Sequence, residues 1–267
     1  MKKLFIKLIT NNFSLYSKAA ELFYPERPFY EYKKLKNGYL MWLDLKDAFQ
    51  MRAYYDIVEE DIIKLLRGTL RPEDTFYDIG AHIGIISFSV ADLIDETKGG
   101  QIVCFEPDHK RREELADNMR LNRLRDRVLI YENAMYSDDG NRKLYVMKQS
   151  GWSSLDKKVA LHSESKGSKI EYVTTAYCTK LDNYLNRRPP SVIKIDAEGS
   201  DYEVLKGGSK LFRIAPPRLV IAEQNEWINN FRNTKENSML MDVYMYSFGY
   251  KAEKIKSTAG CDVVYYL

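Results

Sequence analysis

From about residue 72 the chain alternates short, mostly apolar runs with longer stretches of helical spacing. Thr75 to Ile79, Gln101 to Phe105, Arg127 to Tyr131, Val192 to Ile195 and Arg218 to Ala222 have the length and apolarity of strands buried on both faces. Between them, Ile83 to Ile94, His109 to Leu121, a segment starting near Asp201 and another ending near Phe248 predict helices. Such alternation makes an α/β fold, a parallel sheet covered by helices on both faces. Tyr250 to Ile255 and Asp262 to Leu267, separated by a turn at Gly260, close the chain as a strand pair. They predict one antiparallel edge strand.

Residues 1–70 follow a different pattern and read as a helical and β-hairpin cap over a main domain spanning residues 71–267. Ser14 to Phe23 has helical spacing, which the Pro25 to Pro28 stretch ends. Tyr32 to Lys36 and Tyr39 to Leu45 flank Asn37-Gly38, a dipeptide favoured in type I′ hairpin turns. Ile57 to Leu66 predicts a further helix. The opening MKKLFIKLIT resembles a signal peptide, but Lys7 interrupts the apolar run, Asn11 and Asn12 end it, and no small-residue cleavage site follows. No apolar run reaches the ~18 residues of a membrane span. The expected location is therefore the cytoplasm. Leu4, Phe5, Leu8 and Ile9 leave peripheral contact with a membrane surface open, although packing on the chain's own domain is favoured.

An insertion separates the third and fourth core strands. Lys143 to Met147 and Ile170 to Tyr177 predict strands, and the joining segment is rich in Ser, Lys and Gly. A loop of that length is expected to be functional or mobile. Trp152 within it is either a substrate-stacking lid or a hydrophobic peg.

With 41 Lys and Arg against 38 Asp and Glu, the net charge is +3, too small to argue for a nucleic-acid partner. Basic clusters such as Lys110-Arg111-Arg112 are interleaved with Glu113, Glu114 and Asp117, which predicts a solvated helix face. Cys104, Cys178 and Cys261 are odd in number and far apart, which excludes a disulfide framework or zinc knuckle.

Ligands of doubly wound sheets bind outside the carboxyl ends of the strands, so residues just after each strand are the candidates. Asp78-Ile79-Gly80-Ala81-His82-Ile83-Gly84 follows the first strand. Gly80 permits a tight turn, Gly84 lets the next helix lie close to the strand, and that helix start offers N–H groups to an anion. His82 and Ile85 stand where a dinucleotide fold needs glycine, so the loop suits a ligand bearing a carboxylate and an ammonium, with Asp78 organising the amine. Glu106, after the second strand, can accept hydrogen bonds from both hydroxyls of a ribose. Asn133 and Ala134, after the third, occupy the place of an adenine ring. Asp196 and Glu198 follow the fourth; Asp196 is the better candidate to contact an acceptor hydroxyl or the donor's amine, Glu198 has the start of the next helix as its alternative place, and Lys194 is expected to pair with these carboxylates. Glu223 ends the fifth strand and points to the same crevice.

These residues lie in runs that resemble the FkbM family of S-adenosylmethionine (AdoMet)-dependent methyltransferases: FYDIGAHIGIISFSV, VCFEPDHKRREELADNMRLN, ENAMYSDDG, GWSSL, IKIDAEGSDYEVLKGG and LVIAEQN. The resemblance covers residues 73–225. It implies a class I methyltransferase (Rossmann-like) sheet of seven strands, mostly parallel, and AdoMet as methyl donor. It also implies that Asp78, Gly80 and Gly84 hold the methionine portion and Glu106 the ribose; Ala81, Asn133 and Ala134 are the further cofactor-binding candidates, Asn133 being also an ordinary turn former. Asp196 and Glu198 match the family's DxEG segment. Many relatives carry a His after the acid of the fifth strand, where this chain has Gln224 and Asn225.

Methyl transfer from a sulfonium is an in-line displacement that gains most from alignment, and an alcohol acceptor must also lose a proton. Asp196 leads as base, with His82 as the second catalytic candidate. His109 is expected to start a helix and His162 to sit in the insertion. Asp182 is expected to cap a helix or turn. Trp152, Glu198 and Glu223 are the substrate-binding candidates, and no metal is assigned. The expected reaction is O-methylation of a sugar, glycolipid or other small metabolite, with no nucleic-acid partner. A protein or RNA methyltransferase and an inactive AdoMet-binding module are the alternatives.

Overall fold

A computed structural model describes residues 29–224, 236–256 and 261–267. The predicted helix at Ser14 to Phe23, the opening amphipathic stretch, Asn225 and the Gly260 turn lie outside the described residues. In chain order the elements are β1 (Tyr30–Lys34), β2 (Leu40–Asp44), α1 (Ala48–Tyr54), α2 (Glu60–Thr69), β3 (Thr75–Ile79), α3 (Ile85–Val90) and β4 (Gln101–Phe105). Next come α4 (His109–Leu121), β5 (Val128–Tyr131), β6 (Ala134–Met135), β7 (Gly140–Met147), α5 (Lys157–Ser165) and β8 (Ile170–Thr179). The chain continues with β9 (Val192–Ile195), α6 (Asp201–Lys206), α7 (Leu211–Ile214), β10 (Leu219–Glu223), α8 (Glu236–Tyr246), β11 (Lys251–Lys256) and β12 (Cys261–Tyr266).

The main sheet has seven strands in the order β11-β12-β10-β9-β3-β4-β5. The five central-domain strands β3, β4, β5, β9 and β10 are parallel, and β12 runs antiparallel to both β10 and β11. This is the seven-stranded arrangement the resemblance implies, with the antiparallel strand one place in from the edge. The chain leaves β3 toward β4 and β5, then returns to lay β9 on its other side. Doubly wound sheets open a crevice at such a switch point.

Strand side chains alternate between two cores, as the period of two requires. Phe76, Ile102, Cys104 and Val192 face one core, and Tyr77, Val103, Phe105 and Ile193 face the other. The first core also contains Met41, Leu43, Ile62 and Leu66, so β2 and α2 share it with the sheet. Side chains of α4 finish the open edge of β2: Asn118 Oδ1 accepts the Trp42 N–H at 2.7 Å, and Asn122 Oδ1 accepts the Leu40 N–H at 2.7 Å.

Two expectations change here. The hairpin forms, but Asn37 is absent from the positive-φ residues and only Gly38 (φ +95°) adopts that region, so the turn is not type I′. Asn37 instead spends its side chain on tertiary contacts, donating to the Phe88 carbonyl and to Asp92 Oδ1, both at 2.8 Å. The insertion is not a structureless loop. It carries a 3-10 turn at Ser150–Trp152 and α5, whose first turn is capped by Asp156 accepting the Lys158 N–H at 2.8 Å. Gln149 Oε1 accepts the Ala48 N–H and Asp47 Oδ2 accepts the Ser150 N–H, which fastens the insertion to the start of α1.

Candidate functional site

A cavity of about 500 Å³ opens at the carboxyl ends of β3, β4, β9 and β10 and is roofed by residues from α1, the α1–α2 connection and the insertion. Gly80 (φ +75°) turns the chain out of β3. A Cβ there would sit 1.9 Å from the Asp196 carbonyl oxygen, so glycine is what lets the β3 and β9 ends close together. Gly84 (φ +88°) serves a different neighbour from the one expected: a Cβ would meet Leu115 of α4 at 2.5 Å. Four N–H groups of the turn that leads into α3 are already used. Gly80 and Ala81 donate to the Phe105 carbonyl, Gly84 to that of Ala81, and His82 to Glu106 Oε2. Asp78 lies behind the cavity wall, 1% exposed, where Oδ2 accepts the Ser87 hydroxyl at 2.6 Å and Oδ1 lies 3.9 Å from the Lys194 ammonium.

Glu106 lines the cavity with both oxygens held: Oε2 by the His82 N–H and Oε1 by the Asp108 N–H, each at 2.8 Å. Asp108 caps α4. Burial pushes the Glu106 carboxyl up to about 7 despite these two donors. Asn133 and Ala134 border the same space, and the Tyr184 hydroxyl donates to Asn133 Oδ1 at 3.2 Å.

His82 has φ +53° and turns its ring against the edge of Phe49, with centroids 4.7 Å apart. Neither ring nitrogen has a hydrogen-bond partner among the described residues. Burial, reinforced by the Arg111 guanidinium, pushes its pKa down to about 3, so the imidazole is neutral and weakly basic.

Asp196, Glu198 and Glu223 come together on the β9–β10 side, with one carboxylate oxygen of each within 4.8 Å of the others. Lys194 pairs with Asp196 at 3.0 Å, as expected. Burial works against the Lys194 charge, but Asp196, Asp78 and Glu59 outweigh it and hold the ammonium above its usual range. Burial, then the charge of Asp196, raises both Glu198 and Glu223 well above ordinary carboxylates. The Ser154 hydroxyl donates to the Glu198 carbonyl at 2.7 Å, joining the insertion to this turn. Trp152 lines the cavity and also packs on the first core.

Several cavity residues were not legible as such in the sequence. Phe49, Arg52 and Glu59 come from α1 and the α1–α2 connection, and nothing in their spacing ties them to the strand ends. Burial lifts Glu59, which has φ +53°, to about 7. Arg111 corrects the expectation of a solvated face: it is 4% exposed, bonded to Glu114 Oε2 at 2.7 Å, and lines the cavity. Its alternation with acids looked like surface pairing, whereas Asp47 and Gln50 of the α1 start close over it and Glu114.

The remaining candidates lie elsewhere. His109 begins α4 on the surface, and His162 lies on α5 outside the cavity lining. Asp182 caps α7, accepting the N–H groups of Lys210 and Leu211 at 3.0 and 2.9 Å. Gln224 is 3% exposed and donates to Asp242 Oδ1, away from the cavity. Among the described residues no helix is long and apolar enough to cross a membrane.

A family model described as the methyltransferase FkbM domain matches residues 78–252. No protein of curated function matches the sequence significantly. Among solved structures, an FkbM methyltransferase from Methylobacillus flagellatus KT is 18% identical with a TM-score of 0.50. The match covers 82% of this chain and 52% of that one, so this chain spans about half the length of that relative. An O-methyltransferase from Bacillus cereus, in complex with SAH, is 16% identical over 84% of this chain and 90% of its own, with a TM-score of 0.46. Aeropyrum pernix fibrillarin is 10% identical over 77% and 74%, also at 0.46. The first of these likenesses speaks for the fold alone; the family match covers most of the chain and every strand end that borders the cavity. The chain therefore belongs to the FkbM family of methyltransferases, class I enzymes whose methyl donor is AdoMet.

Proposed function

We propose that this chain transfers the AdoMet methyl group to a hydroxyl of a sugar, glycolipid or other small metabolite. One arrangement carries the reading: Gly80, Glu106 and Asn133 line one side of the cavity, and Asp196 with two further acids lines the other. The first group fits a nucleoside. Each Glu106 oxygen accepts one backbone N–H and retains a lone pair for a ribose hydroxyl, and Asn133 keeps its amide N–H₂ for an adenine edge while Tyr184 holds its oxygen. When bound, AdoMet supplies a methyl group already activated by the sulfonium charge.

What remains for the protein is alignment and proton removal. Asp196, steadied by Lys194 at 3.0 Å, is placed to accept the proton of an acceptor hydroxyl. Its Oδ2 faces the ammonium, and Oδ1 is the oxygen not engaged by Lys194. His82, with its pKa near 3, is a poor base and acts as a wall of the cavity together with Phe49. Trp152 and the insertion turn cover the acceptor side, where an aromatic face suits the apolar face of a sugar ring. Glu198 and Glu223 serve the acceptor rather than the donor. We place the reaction in the cytoplasm, where AdoMet is made.

The test is incubation with radiolabelled AdoMet and fractionated cell extracts beside a Glu106→Ala control. Label in the glycan, lipid or small-metabolite fraction, lost in the control, is the expected result. Label in protein or RNA would replace the acceptor class, and tight AdoMet binding with no transfer to any fraction would favour a binding module.

A further inference from the structure

Among the described residues, the acids at the ends of β9 and β10 outnumber the cations paired with them. Lys194 is engaged on the sheet side, at 3.0 Å from Asp196 and 3.9 Å from Asp78. Glu198 and Glu223 form no ion pair among the described residues, yet each presents an oxygen within 4.8 Å of the other and of Asp196. Two further observations point to a missing cation. Glu223 Oε2 is sealed from solvent and accepts no hydrogen bond among the described residues. Asp201, 4% exposed at the start of α6, has an Oδ1 in the same condition, and its charge bears on both Glu198 and Glu223. Buried carboxylate oxygens are ordinarily satisfied by donors or by a cation, and desolvated like charges repel one another strongly.

We propose that Asp196, Glu198 and Glu223 jointly hold one divalent cation of the hard, oxygen-seeking class at the acceptor side of the cavity. Oxygens bound to one such ion stand at most twice the metal–oxygen distance apart, ~4 Å for Mg²⁺ and ~5 Å for Ca²⁺, and the 4.8 Å limit lies in the calcium range. The donor set is all carboxylate, with neither thiolate nor imidazole, and this selects Mg²⁺, Mn²⁺ or Ca²⁺ over zinc or copper. Three donors leave coordination positions facing a cavity of about 500 Å³, so two adjacent oxygens of an acceptor can complete the shell. Glu198 is held for this by the Ser154 hydroxyl on its carbonyl, and Asp196 by Lys194. The assignment makes the acceptor a vicinal diol or a hydroxy acid. That last step rests on the methyl-transfer reading, whereas the ion site does not.

The experiment strips the full-length chain with EDTA, then titrates it with Mn²⁺ alone, following free Mn²⁺ by its electron paramagnetic resonance signal. AdoMet binding is measured separately by calorimetry. One Mn²⁺ per chain is expected, displaced by excess Mg²⁺ and weakened by about tenfold or more in Glu223→Gln and Glu198→Gln. Both variants relieve like-charge crowding, so their thermal midpoints should not fall, and their AdoMet affinity should stay close to that of the wild type. Absence of saturable Mn²⁺ binding, or a Glu223→Gln titration matching the wild type, overturns the site. AdoMet binding without Mn²⁺ binding removes only the ion. Mn²⁺ binding without AdoMet binding removes the methyl-transfer reading and keeps the ion.

Discussion

At Gly80 the backbone of β3 passes so close to the Asp196 carbonyl that a single methyl group would have to displace one of the two strand ends. Gly80→Ala should cost ~1–3 kcal/mol in denaturant unfolding and abolish AdoMet binding, because both halves of the cavity would move. A variant as stable and as avid as the wild type would refute the close approach. Glu106 supplies a pH prediction. Its folded pKa, near 7, lies above the 4.5 of an ordinary glutamate, so the protonated group favours the folded state. The associated stability is complete below pH ~4.5 and is lost as pH rises through ~7. Ribose binding needs the ionised acceptor, so AdoMet affinity should run the opposite way and rise between pH 6 and 8. Asp108, Arg111, His82 and Cys104 surround this carboxylate. Calorimetric titrations of AdoMet across that range should therefore show the rise in the wild type and lose it in Glu106→Gln.

Among the elements, those set by local pattern were legible in the sequence, and those set by a distant partner were not. The strands β3, β4 and β9 and the helix α4 have the predicted bounds because apolar runs and an Asp cap are local signals. The insertion misled because Ser, Lys and Gly look like loop composition, whereas Asp47 and Gln149 anchor its turn from elsewhere in the chain. Asp182 illustrates the same point: capping was expected, but the helix it caps, α7, begins well after it in sequence. Asp182→Ala should lower unfolding free energy by ~1 kcal/mol and leave AdoMet affinity unchanged, read by urea midpoint and calorimetry. Loss of AdoMet binding without loss of stability would make Asp182 part of the site instead.

For the whole molecule, β2 and α2 complete the core on one face of the sheet, and α1 with the α1–α2 connection supplies Phe49, Arg52 and Glu59 to the cavity. The division at residue 70 is therefore one of sequence pattern, and we expect a single cooperative unit. Leu66→Ala, at a fully buried position, should cost ~2–5 kcal/mol. Its unfolding should remain one transition, with tryptophan fluorescence and far-UV circular dichroism coincident. Two separated transitions would show the first 70 residues to be an independent unit. The same arrangement explains why the site was only half visible: the cavity floor comes from strand ends with motif spacing, and the roof comes from α1, the α1–α2 connection and the insertion.

The chain by itself determined the α/β architecture, the seven-stranded sheet, and the acids and glycines at the strand ends, because buried strands demand apolar runs and strand-end turns demand particular residues. Only the tertiary structure decided that Gly84 makes room for α4, that Arg111 is buried, that His82 is a neutral wall, and that Asp196, Glu198 and Glu223 converge. Each of these depends on what a distant segment lays against the residue. Burial and neighbouring charge, which set a side chain's chemistry, are properties of the packed molecule and have no local signature.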